Sequence, residues 1–125
     1  MKFTRLTQFD NWLQQLGIAW VDKKPEIMAK ICAPNVKYFE TPFGKPYIGP
    51  EAVVKLWQND VPNSQKDIKF NYEILSVTMT MGIAHWLAEY TRIKDNQKVI
   101  LDGIFQVALN RQGLCTEFHM WWVVK

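Results

Sequence analysis

Few side chains in this 125-residue chain are suited to chemistry, and their spacing narrows what that chemistry is. Asp102 lies in LDGIF, an apolar run. A carboxylate there would have its pKa raised by desolvation and could serve as a general acid or base. His85 and His119 are the only histidines, and there is no HxxxH pair and no His-Cys cluster, so no metal site and no cofactor is implied. Cys32 and Cys115 stand far apart without a CxxC, which reads as two free thiols in a reducing cytoplasm.

The rest of the composition excludes several classes. Hydrophobic residues make up 48%, charged residues 22%, and aromatic residues 14% with six tryptophans, which suits a sheet-rich fold or an apolar cavity. The net charge of +3 comes from basic residues scattered along the chain, not from a run that nucleic acid or an anionic membrane would require. The first residues, MKFTRLTQFDNW, contain no apolar h-region, so a secretory signal is not expected. No stretch approaches the ~20 apolar residues of a membrane span. One domain over 1–125 with a single core is expected.

The elements that must position these side chains fall into two blocks. Residues 7–21 carry Phe9, Trp12, Leu13, Leu16 and Trp20 at helical spacing, and Thr7 with Asp10 resembles a capping box. Pro25 opens a second, short helix that buries Ile27, Met28, Ile31 and Cys32 and stops before Pro34. Residues 36–50 read as a short strand, a Pro- and Gly-rich turn and a brief extended piece; 51–58 form a third helix begun by Pro50, and 60–65 a loop. The period then changes to two. Strands are predicted over 68–77, 83–93, 98–109 and 114–124, with turns at 78–82, 94–97 and 110–113. Helices followed by an antiparallel meander make the class α+β.

Helix, helix, short strand, PFGKPYIG, a third helix and a meander ending in GLCTEFHMWW together resemble the nuclear transport factor 2-like superfamily, and most of all its bacterial SnoaL-like branch. The resemblance covers essentially the whole chain. It implies a cone-shaped roll in which a strongly curved antiparallel sheet wraps the N-terminal helices and leaves a pocket between them. It does not imply a reaction, because the superfamily spans isomerases, cyclases, dehydratases, hydrolases and proteins without chemistry. The working positions of the ketosteroid isomerases fall on Leu16, Thr41 and Phe105. Neither apolar side chain donates a hydrogen bond, and a threonine hydroxyl is no useful general base. The cyclases' acidic residue also falls on Phe105. Glu40 stands beside the lost base position, and a one-residue slip before Pro42 would bring it into the pocket.

The resemblance also orients the sheet. With Phe105 inward and paired to Phe118, the cone interior receives Phe118, Met120 and Trp122 from the last strand and Trp86 and Tyr90 from an earlier one. Trp20 and Trp57 close the opposite wall. These eight residues are expected to line a pocket for a small apolar or aromatic molecule, the alternative being a filled core. Asp102 points outward by parity, beside Trp121, unless a bulge at Gly103 turns it in. His119 and His85 fall on either side of Ile104 on the outer face, roughly 9–10 Å apart and too far to share a metal. That face mixes Leu87, Ile104, His119 and Trp121 with charges, as a homodimer interface would. The sequence thus favours a cytoplasmic ligand-binding protein. The alternatives are a lyase, isomerase or hydrolase using Glu40 or Asp102 with Tyr90, and a protein-interaction module without a small ligand.

Overall fold

The structure is a computed structural model that describes residues 4–125. Helix α1 spans Arg5–Val21 and buries Phe9, Trp12, Leu13, Leu16, Ala19 and Trp20 along one side. Its cap is Thr4, whose side chain accepts from the Thr7 backbone N–H at 3.0 Å. The expected Thr7–Asp10 box is therefore not the cap: Thr7 already lies in the first turn. Asp10 instead accepts from the Tyr72 hydroxyl and from Gln14 Nε2, tying the helix to the sheet. Helix α2, Ile27–Ile31, begins two residues after the buried Pro25. Strand β1, Cys32–Phe39, follows at once and so starts earlier than expected. It contains Pro34, which has no N–H to give a ladder, and its register shifts between Cys32 and Lys37. After β2, Tyr47–Ile48, Gly49 at φ 87° turns the chain into α3, Pro50–Asp60, with Pro50 in its first turn. Among the described residues no helix is long and apolar enough to cross a membrane.

Four long strands complete the fold: β3 Gln65–Val77, β4 Met81–Arg92, β5 Gln97–Leu109 and β6 Cys115–Val124. The six-stranded sheet has the order β2-β1-β6-β5-β4-β3. It is mixed, not wholly antiparallel as expected, because β1 lies parallel beside β6 while the other pairs are antiparallel. The three helices pack on this curved sheet, giving an α+β cone.

The β5–β6 register corrects one expectation. Phe105 faces Met120, and Phe118 faces Val107. Leu114 belongs to the connecting loop, where the Asn110 side chain accepts from the Gln112 and Leu114 N–H groups and Gly113 takes φ 80°. A further residue is taken up by the irregularity between Ala108 and Leu109. Two single-residue offsets sum to an even number, so every side chain keeps its face.

The core is aromatic. Trp86 stacks on Phe105 with centroids 4.9 Å apart, and Phe118 stacks on Tyr38 at 4.2 Å. The Trp86 indole lies over Gly103, where an added Cβ would come within 2.7 Å of the ring and 2.2 Å of the Trp121 carbonyl oxygen. Gly103→Ala is therefore expected to lower stability by roughly 1–3 kcal/mol, the usual cost of overpacking. Urea unfolding measures it, and an unchanged midpoint would contradict this packing.

Candidate functional site

The sheet and the helices part at one end. Here the last turns of α1 and α3 face the end of β4, the start of β5 and the end of β6, and enclose a cavity of about 400 Å³. Trp20, Leu56, Trp57 and Val61 form the helical wall; Val99, Leu101, Phe105, Met120 and Trp122 form the sheet wall. Tyr38 comes from the end of β1 and Glu40 directly follows that strand, Gln65 comes from the start of β3, and Tyr90 and Arg92 from the end of β4.

Two indoles organise the polar part of the wall. Trp20 Nε1 donates to Gln65 Oε1 at 2.7 Å, and Trp57 Nε1 donates to the Tyr38 hydroxyl oxygen at 3.2 Å. The two rings meet edge to face, with centroids 5.9 Å apart. Burial raises the Tyr38 pKa well above its usual value, so this phenol keeps its proton. Burial also lifts the Glu40 carboxyl above the ordinary carboxylate range, and the negative charge of Asp60 lifts it further. Asp60, at the cavity mouth, is raised by its own burial. The Arg92 guanidinium is engaged by Asp95 through two hydrogen bonds of 2.9 and 2.8 Å. Chemically, the arrangement offers a largely apolar cavity whose wall also carries the Tyr38 phenol, the Gln65 carboxamide and the Glu40 and Asp60 carboxyl groups.

The structure places the residues singled out from the sequence as follows. Trp20, Trp57, Tyr90, Phe105, Met120, Trp122 and Glu40 line the cavity. Trp86 and Phe118 do not, although both point inward. Trp86 is sealed beneath Trp20, Phe70 and Phe105, and Phe118 between Trp12 and Tyr38. Strand parity fixes a face but not a depth, and α1 covers the deeper part of the cone. Asp102 lies exposed on the outer face, with Oδ1 at 2.7 Å from His85 Nε2, whose ring also meets Glu73 through Nδ1 at 3.2 Å. The register runs through Gly103 without a bulge, so Asp102 is no cavity acid. His119 pairs across the strands with Gln106 rather than with Ile104, stacks on Phe39 and meets Glu117 Oε2 at 2.9 Å. Ile104 faces Trp121 on one side and His85 on the other.

Of the positions matched to isomerase machinery, Leu16 is fully buried and the Thr41 hydroxyl accepts from the Gly44 N–H at the surface. Cys32 and Cys115, distant in sequence, are register partners across β1 and β6. Burial pushes the Cys32 thiol up to about 12 and the Cys115 thiol well above its usual value, so neither is poised as a thiolate. Among the described residues no three His, Cys, Asp or Glu side chains gather as metal ligands would.

Tyr38, Gln65, Asp60 and Arg92 were not singled out from the sequence. Asp60 had a usable signal, since it stands three residues after Trp57 and shares its helical face. Gln65 had none, lying at the end of a stretch read as a loop.

No protein-family model and no curated protein matches the sequence. Solved structures do match. A putative isomerase from Bacillus subtilis superposes with a TM-score of 0.82 at 12% identity, covering 97% of this chain and 90% of its own. A Mycobacterium tuberculosis protein in complex with estradiol-17beta-hemisuccinate gives 0.78 at 15% identity, covering 93% and 94%. A Δ5-3-ketosteroid isomerase from Mycobacterium sp. gives 0.76 at 13% identity, covering 94% and 98%. At such identities the likeness is one of fold, and it agrees with the cone built above from helices, sheet order and register. The chain has the fold of the nuclear transport factor 2-like, SnoaL-like proteins.

Proposed function

We propose that this protein binds a small apolar or aromatic molecule in the cavity at the open end of the cone. The observation that carries this reading is the cavity itself: about 400 Å³ of space walled largely by Trp20, Trp57, Phe105, Met120 and Trp122. Well-packed interiors leave few voids larger than a water molecule, and pockets of this size and lining are typical of small-molecule sites. That a protein of the same fold forms a complex with estradiol-17beta-hemisuccinate supports the reading. The free, buried Cys32 and Cys115 fit a reducing cytoplasm, where we place the protein.

A second reading, an enzyme acting on such a molecule, is favoured by one feature. Glu40 is half-buried in the cavity wall, and its pKa is raised by burial and by Asp60, as a general acid or base requires. Tyr90 lines the same cavity and would be its partner. Asp102 drops out of this reading because it lies on the outer face. A dry, filled interior would have favoured the third reading, an interaction module; the cavity speaks against it.

The outer face of the sheet supports a homodimer. Trp121 is 40% exposed, Leu87 44% and Val123 68%, while Ile104 and His119 lie between them half-buried. Phe39, His119 and Trp121 form a stacked row, with ring centroids 4.4 and 5.8 Å apart. Ion pairs are interleaved with this patch across β3 to β5, among them Glu73–His85–Asp102 and Lys69–Glu89–Lys98. An exposed aromatic anchor among apolar and charged neighbours is a feature of interfaces, and two-fold symmetry would set the patch against its own copy.

Four measurements test these statements. The neutral probe N-phenyl-1-naphthylamine should brighten on binding, and Trp122→Ala should weaken that binding roughly tenfold by removing an aromatic wall. An unresponsive probe would count against a ligand site. Turnover of a Δ5-3-ketosteroid should stay at the buffer rate, since Leu16 and Phe105 donate nothing. If another substrate is turned over, Glu40→Gln should slow it at least a hundredfold, and an unchanged rate would remove Glu40 from the chemistry. Trp121→Asp should convert a dimer to a monomer in sedimentation with its circular dichroism retained; a wild-type monomer at tens of micromolar would refute the interface.

A further inference from the structure

We infer that the cavity selects neutral apolar molecules bearing a carbonyl oxygen, which the Tyr38 hydroxyl and the Gln65 carboxamide receive as hydrogen-bond donors. This rests on the ligand-binding role proposed above and names the class of ligand.

The argument begins with what an indole can do. Its Nε1–H donates and has no capacity to accept. Trp20 Nε1, 2.7 Å from the Gln65 side chain, therefore fixes the amide with its oxygen toward the indole, so the NH₂ group points elsewhere. Trp57 Nε1 uses a lone pair of the Tyr38 oxygen, so the phenolic hydrogen is also free for another acceptor. Among the described residues neither the Gln65 NH₂ group nor the Tyr38 hydroxyl hydrogen has an acceptor, while both residues line the cavity.

Both side chains are otherwise enclosed, Tyr38 being 2% and Gln65 8% exposed. The sole side-chain polar atom both sealed and unpartnered among the described residues is Trp86 Nε1, so the unpartnered Gln65 Nε2 keeps accessible surface, in a residue that lines the cavity. Both donors thus belong to residues of the cavity wall, each held by an indole, and the two indoles meet edge to face at 5.9 Å. A donor shielded from water and left unmatched is costly, and a carbonyl oxygen is an acceptor that suits either of them.

The charge of the ligand follows from the same wall. A carboxylate would find the donors, but it would also face Glu40 and Asp60, and Arg92, the cation of the lining, is held by Asp95. A neutral ketone takes the two hydrogen bonds without that repulsion.

The experiment compares three molecules of one size: 2-acetylnaphthalene, 2-ethylnaphthalene and 2-naphthoate. Dissociation constants are measured by quenching of tryptophan fluorescence at pH 8. The ketone should bind about tenfold more tightly than the hydrocarbon, the scale of one or two neutral hydrogen bonds, and more tightly than the carboxylate. In Tyr38→Phe and in Gln65→Met the ratio of ketone to hydrocarbon affinity should shrink several-fold, a ratio that cancels any change in the cavity wall felt by both molecules. Independently of any variant, the carbonyl stretch of the ketone bound to wild-type protein should move to lower frequency than in hexane. Equal binding of ketone and hydrocarbon, an unshifted carbonyl, or an advantage untouched by both substitutions overturns the inference while the ligand-binding role stands. Tighter binding of 2-naphthoate overturns the selection for neutral molecules. Failure of all three molecules to bind overturns the inference and the ligand-binding role together.

Discussion

An indole N–H can donate a hydrogen bond and do nothing else, and the open end of this fold is arranged around that constraint. Trp20 and Trp57 sit at the last turns of their helices, where their rings supply apolar surface to the core and their N–H groups must each find an acceptor. Gln65 and Tyr38 provide it. These two bonds pin the start of β3 to α1 and the end of β1 to α3, so the helices close over the sheet at this end without filling it. The same bonds set the orientation of the acceptors and leave their remaining hydrogens without a partner among the described residues. Structure and the proposed recognition at the cavity would therefore share one cause.

Trp86 shows the contrast. It lies fully buried over Gly103, stacked on Phe105, and its Nε1 has no partner among the described residues. Here the gain from burying a large ring outweighs an unmade hydrogen bond, since full burial of an aromatic is worth about as much as or more than the penalty of one unsatisfied donor. Such a ring belongs to the packing of the deep cone. At the open end of the cone, where Tyr38, Glu40 and Gln65 line the cavity, the indoles have acceptors instead.

Much of the fold was legible in the sequence, for reasons that can be located. Phe9, Trp12, Leu13, Leu16 and Trp20 repeat at helical spacing, and α1 forms there; only its cap moved, because Thr7–Asp10 imitates a box that Thr4 renders unnecessary. The faces of β4, β5 and β6 were readable because alternation survives any even slip, and the Phe105 pairing was off by two residues. The parallel β1–β6 contact was not readable, since it joins strands far apart in the chain. The cavity wall was legible in part. Facing inward is a local property, which placed Trp122 and Phe105; depth depends on where α1 stops, which misplaced Trp86 and Phe118. Gln65 and Tyr38 gave no signal of their role, because that role is conferred by indoles 45 and 19 residues away.

The account stands on what occupies the chamber beside Trp20 and Trp57. A crystal structure determined in the presence of 2-acetylnaphthalene is the most direct measurement. The naphthalene rings should lie against Trp122 and Phe105, with the carbonyl oxygen within hydrogen-bonding distance of the Tyr38 hydroxyl or the Gln65 amide nitrogen. A cavity collapsed onto its own side chains, or a ketone bound elsewhere on the protein, would contradict it.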